Sequence, residues 1–140
     1  MVNTVNSIIC FLLAYVIVSL LEIILAIVKI KVFSMKPLEK DLFNYIFKNS
    51  RYWRVIFAII TFSVLGYAYN SSLIHYSVIT ALLCSVFWLL LVVMFDLLFR
   101  VIIQNACSFT IDELFKDNLI WTILTYVGVI VGPFIGLLFL

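Results

Sequence analysis

Charge is scarce in this chain. Only 11% of its 140 residues are Asp, Glu, Lys or Arg, while 66% are hydrophobic. A soluble domain is about 25% charged, and so short a chain has too little interior to hide this much apolar surface from water. A water-soluble globular domain is thereby excluded, and lipid is the expected solvent. The formal net charge of +2, with no basic patch interleaved with exposed aromatics, excludes nucleic acid as a partner. Histidine is scarcer still. His75 stands alone beside Tyr76 in a short polar stretch, where a solvated loop residue is expected and no acid is close enough to build a Ser-His-Asp triad. No HExxH, Walker loop or GxGxxG occurs. The cysteines Cys10, Cys84 and Cys107 form no CxxC pair, so their expected role is apolar packing, with Cys107 an acylation candidate near a span end. No enzyme activity, cofactor or metal is expected.

What the chain has in abundance is long apolar runs. Four are long enough for a helix crossing a membrane, which takes about 20 residues. They cover about 8–28, 53–69, 76–99 and 119–140. Backbone groups in lipid must bond within the chain, and the alternation of a barrel strand is missing, so the spans are helical. The first is expected to be retained rather than cleaved. No Lys or Arg precedes it, and Lys29 and Lys31 follow it, the reverse of a signal peptide.

The few cations set an orientation. Lys29, Lys31, Lys36, Lys40, Lys48, Arg51 and Arg54 lie between spans one and two or at their adjoining ends, and Arg100 and Lys116 lie between spans three and four. The connection Asn70 to His75 has none. The first and third connections are therefore expected in the cytoplasm, with both termini outside a plasma or bacterial inner membrane. Asn70-Ser71-Ser72 is a glycosylation sequon on the outer side, but it lies hard against the membrane.

Each cytoplasmic connection carries an amphipathic signal. In about 37–48, Leu38, Leu42, Phe43, Ile46 and Phe47 recur at helical spacing opposite Lys36, Lys40 and Lys48, with Pro37 suited to the first turn and Asn49 to the stop. Thr110-Ile111-Asp112-Glu113 is a capping box flanked by Phe109 and Leu114 as a hydrophobic staple, predicting a short helix over about 111–116. Trp53 and Trp121 are expected as interfacial anchors, with Arg51 and Arg54 beside them in a basic collar. Glu22, Ser34, Asp41-Leu42-Phe43 and Trp53 match Asp96, Ser108, Glu113-Leu114-Phe115 and Trp121 in order. The fold class read from this pattern is an all-α integral membrane protein. It is a single four-transmembrane-helix bundle with one or two interfacial helices, and a parallel duplication of a two-span unit would explain the matches.

The polar residues inside the spans carry the functional question. A charged side chain at mid-span costs about 2.5–3.5 kcal/mol, so it faces protein or water. Tyr15, Ser19, Glu22, Ala26 and Lys29 form one stripe of the first span. Asp96 can pair with Arg100 one turn on. A Glu22–Arg100–Asp96 cluster is expected, against the alternative of a Glu22 that titrates and carries protons or ions. Gly128, Gly132 and Gly136 make a groove for close helix approach, either internally against span one or three or for a partner's span, and Pro133 should loosen the helix beside it. Three functions remain in view. The first is a non-enzymatic protein that binds another membrane protein, as an accessory subunit or an immunity- or exclusion-type factor. The second is an oligomeric transporter or channel using Glu22 and Asp96. The third is a lipid-interacting, membrane-shaping protein. The expected partners are the bilayer and another membrane protein or a second copy.

Overall fold

The computed structural model describes residues 3–34, 40–103 and 108–140. Those residues are helical apart from short connections, and no strand occurs among them. Helix α1, Thr4–Lys29, continues as a π-helical turn over Ile30–Ser34. Helix α2 is Lys40–Asn49 and α3 is Arg51–Ser71. Helix α4, Val78–Phe95, continues as a wider π-helical stretch over Asp96–Ile102. A π-helical turn, Glu113–Asp117, leads into α5, Leu119–Leu138. Four helices, Thr4–Val32, Arg51–Ser71, Val78–Ile102 and Leu119–Leu138, are long and apolar enough to cross a membrane.

Local chemistry sets the ends. Asn3 accepts from the Asn6 amide at 3.2 Å, so α1 starts earlier than its apolar run alone predicts. Ser77 and Thr80 cap α4 reciprocally, at 3.2 Å from the Thr80 amide and 2.8 Å from the Ser77 amide. The Thr110–Glu113 box has the same reciprocal form, at 2.8 and 3.1 Å. Phe109 and Leu114 are both buried in one cluster with Ala26, Ile30, Phe43 and Phe47, which seats α2 on the end of α1. Met35, Lys36, Pro37, Leu38 and Cys107 lie outside the described residues, as do the side chains of Ser34 and Lys40.

The main core runs along the long helices. Phe11, Ala14, Tyr15 and Val18 meet Ala58, Phe62 and Tyr69, with Cys84, Trp88, Val92 and Val129 filling the space between. Trp88 is fully buried, and its indole donates to the Ser7 carbonyl at 3.1 Å and hydroxyl at 3.0 Å. The polar edge of that ring is thus satisfied inside an apolar core.

The seam between α3 and α5 is the most extensive helix contact. Its closeness corrects the expectation for the glycine groove, which faces neither span one nor span three but α3. A Cβ on Gly132 would lie 2.7 Å from the Phe62 carbonyl carbon, and one on Gly136 would lie 2.6 Å from the Gly66 carbonyl carbon and meet the Tyr67 amide. The physical reason is on α3 itself, where Ala58, Phe62 and Gly66 repeat every four residues and offer the complementary surface. Helix α5 runs unbroken through Pro133, whose carbonyl accepts from the Asn70 amide side chain at 2.9 Å. Ser85 Oγ donates to the Ile130 carbonyl at 2.7 Å and ties α4 to the same helix.

Candidate functional site: a buried arginine–carboxylate cluster

Asp96 lies where α4 widens into its π-helical stretch, and it is fully buried. Its carboxylate collects donors from the three other long helices. Tyr15 of α1 donates to Oδ1 at 3.0 Å, Arg54 of α3 donates to Oδ1 at 2.7 Å, and Tyr126 of α5 donates to Oδ2 at 3.1 Å. Arg100, one turn along from Asp96, brings its Nε to 3.2 Å from Oδ1. The same guanidinium reaches across to α1, where its Nη2 donates to Glu22 Oε2 at 2.6 Å. Arg54 Nε stands 3.9 Å from the other Glu22 oxygen. Two acids and two arginines therefore form one charge-balanced network in which every member is buried.

Glu22, Asp96 and Arg100 are thus brought together, with Tyr15 beside them. Ser19 is half-buried and lines a cavity between α1 and α4 rather than joining the network. The basic collar needs correcting. Arg51 and Arg54, expected at the interface, are only 3% and 2% exposed. Because α3 begins at Arg51, both fall on the face that also carries Ala58, Thr61, Phe62 and Tyr69. That spacing of three and four was the sequence signal for their burial; proximity to other cations masked it. Tyr126 was missed as well. It is set four residues after the buried Thr122, and only packing brings it to Asp96.

A layer of polar contacts covers the cluster on the α2 side. Arg51 donates to Thr122 Oγ1 at 2.9 Å and to the Glu113 carbonyl at 3.4 Å, and the threonine hydroxyl in turn donates to the Leu114 carbonyl at 2.7 Å. The Phe109 ring lies 4.6 Å from the Arg51 guanidinium carbon and 5.9 Å from that of Arg100. Phe47 approaches Arg100 to 5.7 Å from α2. Lys48 bonds both Glu113 oxygens, at 2.7 and 2.9 Å. The Lys48 bond and the Thr110 amide hold the Glu113 carboxyl below its ordinary range. Lys48 is therefore partnered, not placed on a purely solvated face. Lys29 donates to Ser50 Oγ at 2.8 Å instead of reaching Glu22. Trp121 is exposed, with its ring tilted against Tyr52 at 6.2 Å, while Trp53 is half-exposed and stacks on Phe57 at 6.0 Å.

No protein-family model, curated protein or solved structure matches the chain. The chemistry of the cluster must speak for itself. Each carboxylate is held by two guanidiniums, groups that do not deprotonate in proteins. Taking two acids out of water is tolerable only with such compensation, and removing one partner would strand a buried charge. The arrangement fixes four helices against one another. Among the described residues its donors exceed its acceptors: Arg100 Nη1 and Nε and Arg54 Nε lack a hydrogen-bond acceptor, as does Nε of the neighbouring Arg51.

Proposed function

We propose that the chain is a non-enzymatic integral membrane protein that acts by binding another membrane protein, as an accessory subunit or an immunity- or exclusion-type factor. The four long apolar helices would span the bilayer as one bundle. The end that carries α2 and the Glu113–Asp117 turn would face the cytoplasm, because Lys and Arg gather there. The observation that carries binding over transport is the double arginine pairing of both intramembrane acids. A carrier carboxylate has to exchange its proton or ion with a path, and these two are occupied by permanent cations from α3 and α4. His75, the single histidine, is exposed at the other end of α3, away from both acids, which supports a role without acid–base catalysis. Glu22 and Asp96 face the same two guanidiniums, so neither acid is left with a free side for a carried ion.

The test is reconstitution into liposomes under proton, sodium and potassium gradients. No flux is expected, and Glu22→Gln should change nothing. In native membranes, a photo-crosslinker at Leu13 or Leu83, exposed positions of α1 and α4, should capture one membrane protein stoichiometrically. A flux that Glu22→Gln abolishes would establish the transporter reading instead.

A further inference from the structure

We infer that the cavity between α1 and the π-helical end of α4 is a binding site for one membrane lipid with an anionic head, its chain along α1 and its head at Arg100. The inference rests on the membrane-spanning reading above and goes beyond the protein partner proposed there. The cavity measures about 500 Å³ and is walled by Leu12, Val16, Leu20, Phe95 and Phe99, with Ser19 and Arg100 among its few polar residues.

Size selects the occupant. From Leu12 to Ile23 the α1 wall is about 16 Å long at 1.5 Å per residue, roughly half the ~30 Å hydrocarbon core and so the depth of one leaflet. A volume of 500 Å³ over that length leaves a mean cross-section of about 30 Å². A helix about 10 Å across would need more than twice that area. The space fits a single extended hydrocarbon chain.

Charge selects the head. Arg100 lines the cavity, is 4% exposed, and has a buried Nη1 with no hydrogen-bond partner among the described residues, while its Nη2 is held by Glu22. The Arg54–Arg100–Glu22–Asp96 network is balanced in itself, but a third buried guanidinium, that of Arg51, stands beside it with its hydrogen bonds to a hydroxyl and a carbonyl, so this end of the bundle carries one buried positive charge in excess. One more anion balances the set and supplies the acceptor that Arg100 lacks, with the Ser19 hydroxyl at hand as a donor. Tyr15, which also lines the wall, already spends its proton on Asp96. The polar end lies toward the basic connections, so the lipid belongs to the cytoplasmic leaflet.

Native mass spectrometry of the full chain tests the site, with phosphatidylglycerol and phosphatidylcholine of identical chains added to delipidated protein. One phosphatidylglycerol per chain is expected, favoured by about fivefold or more, as one basic residue provides. Ser19→Trp fills the cavity and should remove the bound lipid while leaving thermal unfolding in lipid-free detergent unchanged. If Ser19→Trp lowers the unfolding temperature, Val16→Phe, at a position 52% exposed, carries the same test. Equal retention of the two lipids, no retained lipid, or retention unaffected by the filling variants overturns the proposal. Carbonate extraction of native membranes reads the underlying assumption separately, because a chain released by carbonate does not span the bilayer whatever the lipid result.

Discussion

Two seams of this molecule are built in opposite ways. Between α3 and α5, Gly132 and Gly136 let backbones approach until no Cβ fits, and Asn70 bonds the Pro133 carbonyl across the gap. Between α1 and α4 the backbones come close at few points, side chains such as Trp88 and Phe11 bridge them, and the space near the π-helical end stays open as a cavity. The first seam is closed by shape along its length, whereas the second is clasped by charge at its π-helical end. Arg100 bridges α4 to Glu22 of α1, and Tyr15 of α1 reaches Asp96. In the bilayer proposed as its solvent there would be no hydrophobic drive to press helices together, so packing and polar contacts would be the means available. The molecule uses one at each seam. Close packing leaves no room for a ligand, whereas a polar clasp can hold two helices at one level and leave them apart at another.

Asp96→Asn should produce the largest change, because it removes the group that all four long helices share. Two buried guanidiniums would lose one of their two carboxylates and be left sharing Glu22, and a stability loss of about 3–5 kcal/mol is expected in unfolding measurements in mild detergent. A loss under 1 kcal/mol would show that packing, not charge, holds the open seam. Gly136→Ala comes next. Its methyl group meets backbone atoms of Gly66 and Tyr67, which cannot rotate away, so about 1–3 kcal/mol should be lost in the same assay. Wild-type stability in that variant would mean the tight seam can relax.

The third effect is smaller and depends on pH. The Lys48–Glu113 pair ties α2 to the turn before α5 and covers the end common to both seams. With the Glu113 carboxyl lowered by Lys48 and the Thr110 amide, the unfolded chain binds the proton more readily. The stabilisation is therefore complete above the ordinary glutamate range and disappears as pH falls through the folded value. Glu113→Gln should cost about 0.2–1 kcal/mol at neutral pH and flatten that acid limb. Hydrogen exchange of α2 amides against pH reads both. The smallest effect is expected for Leu20→Ala on the cavity wall. Half-exposed Leu20 should shift stability by less than about 0.5 kcal/mol, in contrast with Gly136→Ala. A loss like that of a core leucine would mean the seam is closed after all.

Much of the fold was legible in the residues. Four apolar runs gave four long helices, because run length reads directly as helix length, and the Thr110–Glu113 box announced its own cap. Within the cluster, Asp96 and Arg100 were readable because they lie one turn apart, and Glu22 because an acid in an apolar helix needs a cation. Arg54 was not. Its face was encoded by its spacing to Ala58 and Phe62, but its neighbours Arg51 and Lys48 suggested a solvated collar. Tyr126 and the Ala58–Gly66 surface were invisible for a simpler reason: periodicity tells which face of a helix is special and not which helix it meets.

The residues alone determined the helical lengths, the gathering of cations at one end, and the need of two acids for compensation. These are properties of a helix in its solvent, set by rise per residue and by the cost of an unpaired charge. Only the tertiary structure decided that Arg54 and Arg100 share both acids, that the glycines of α5 are spent on α3, and that a cavity remains beside Arg100. Those outcomes depend on which helix faces which, and pairing between elements distant in the chain is written in the fit of two surfaces rather than in either one.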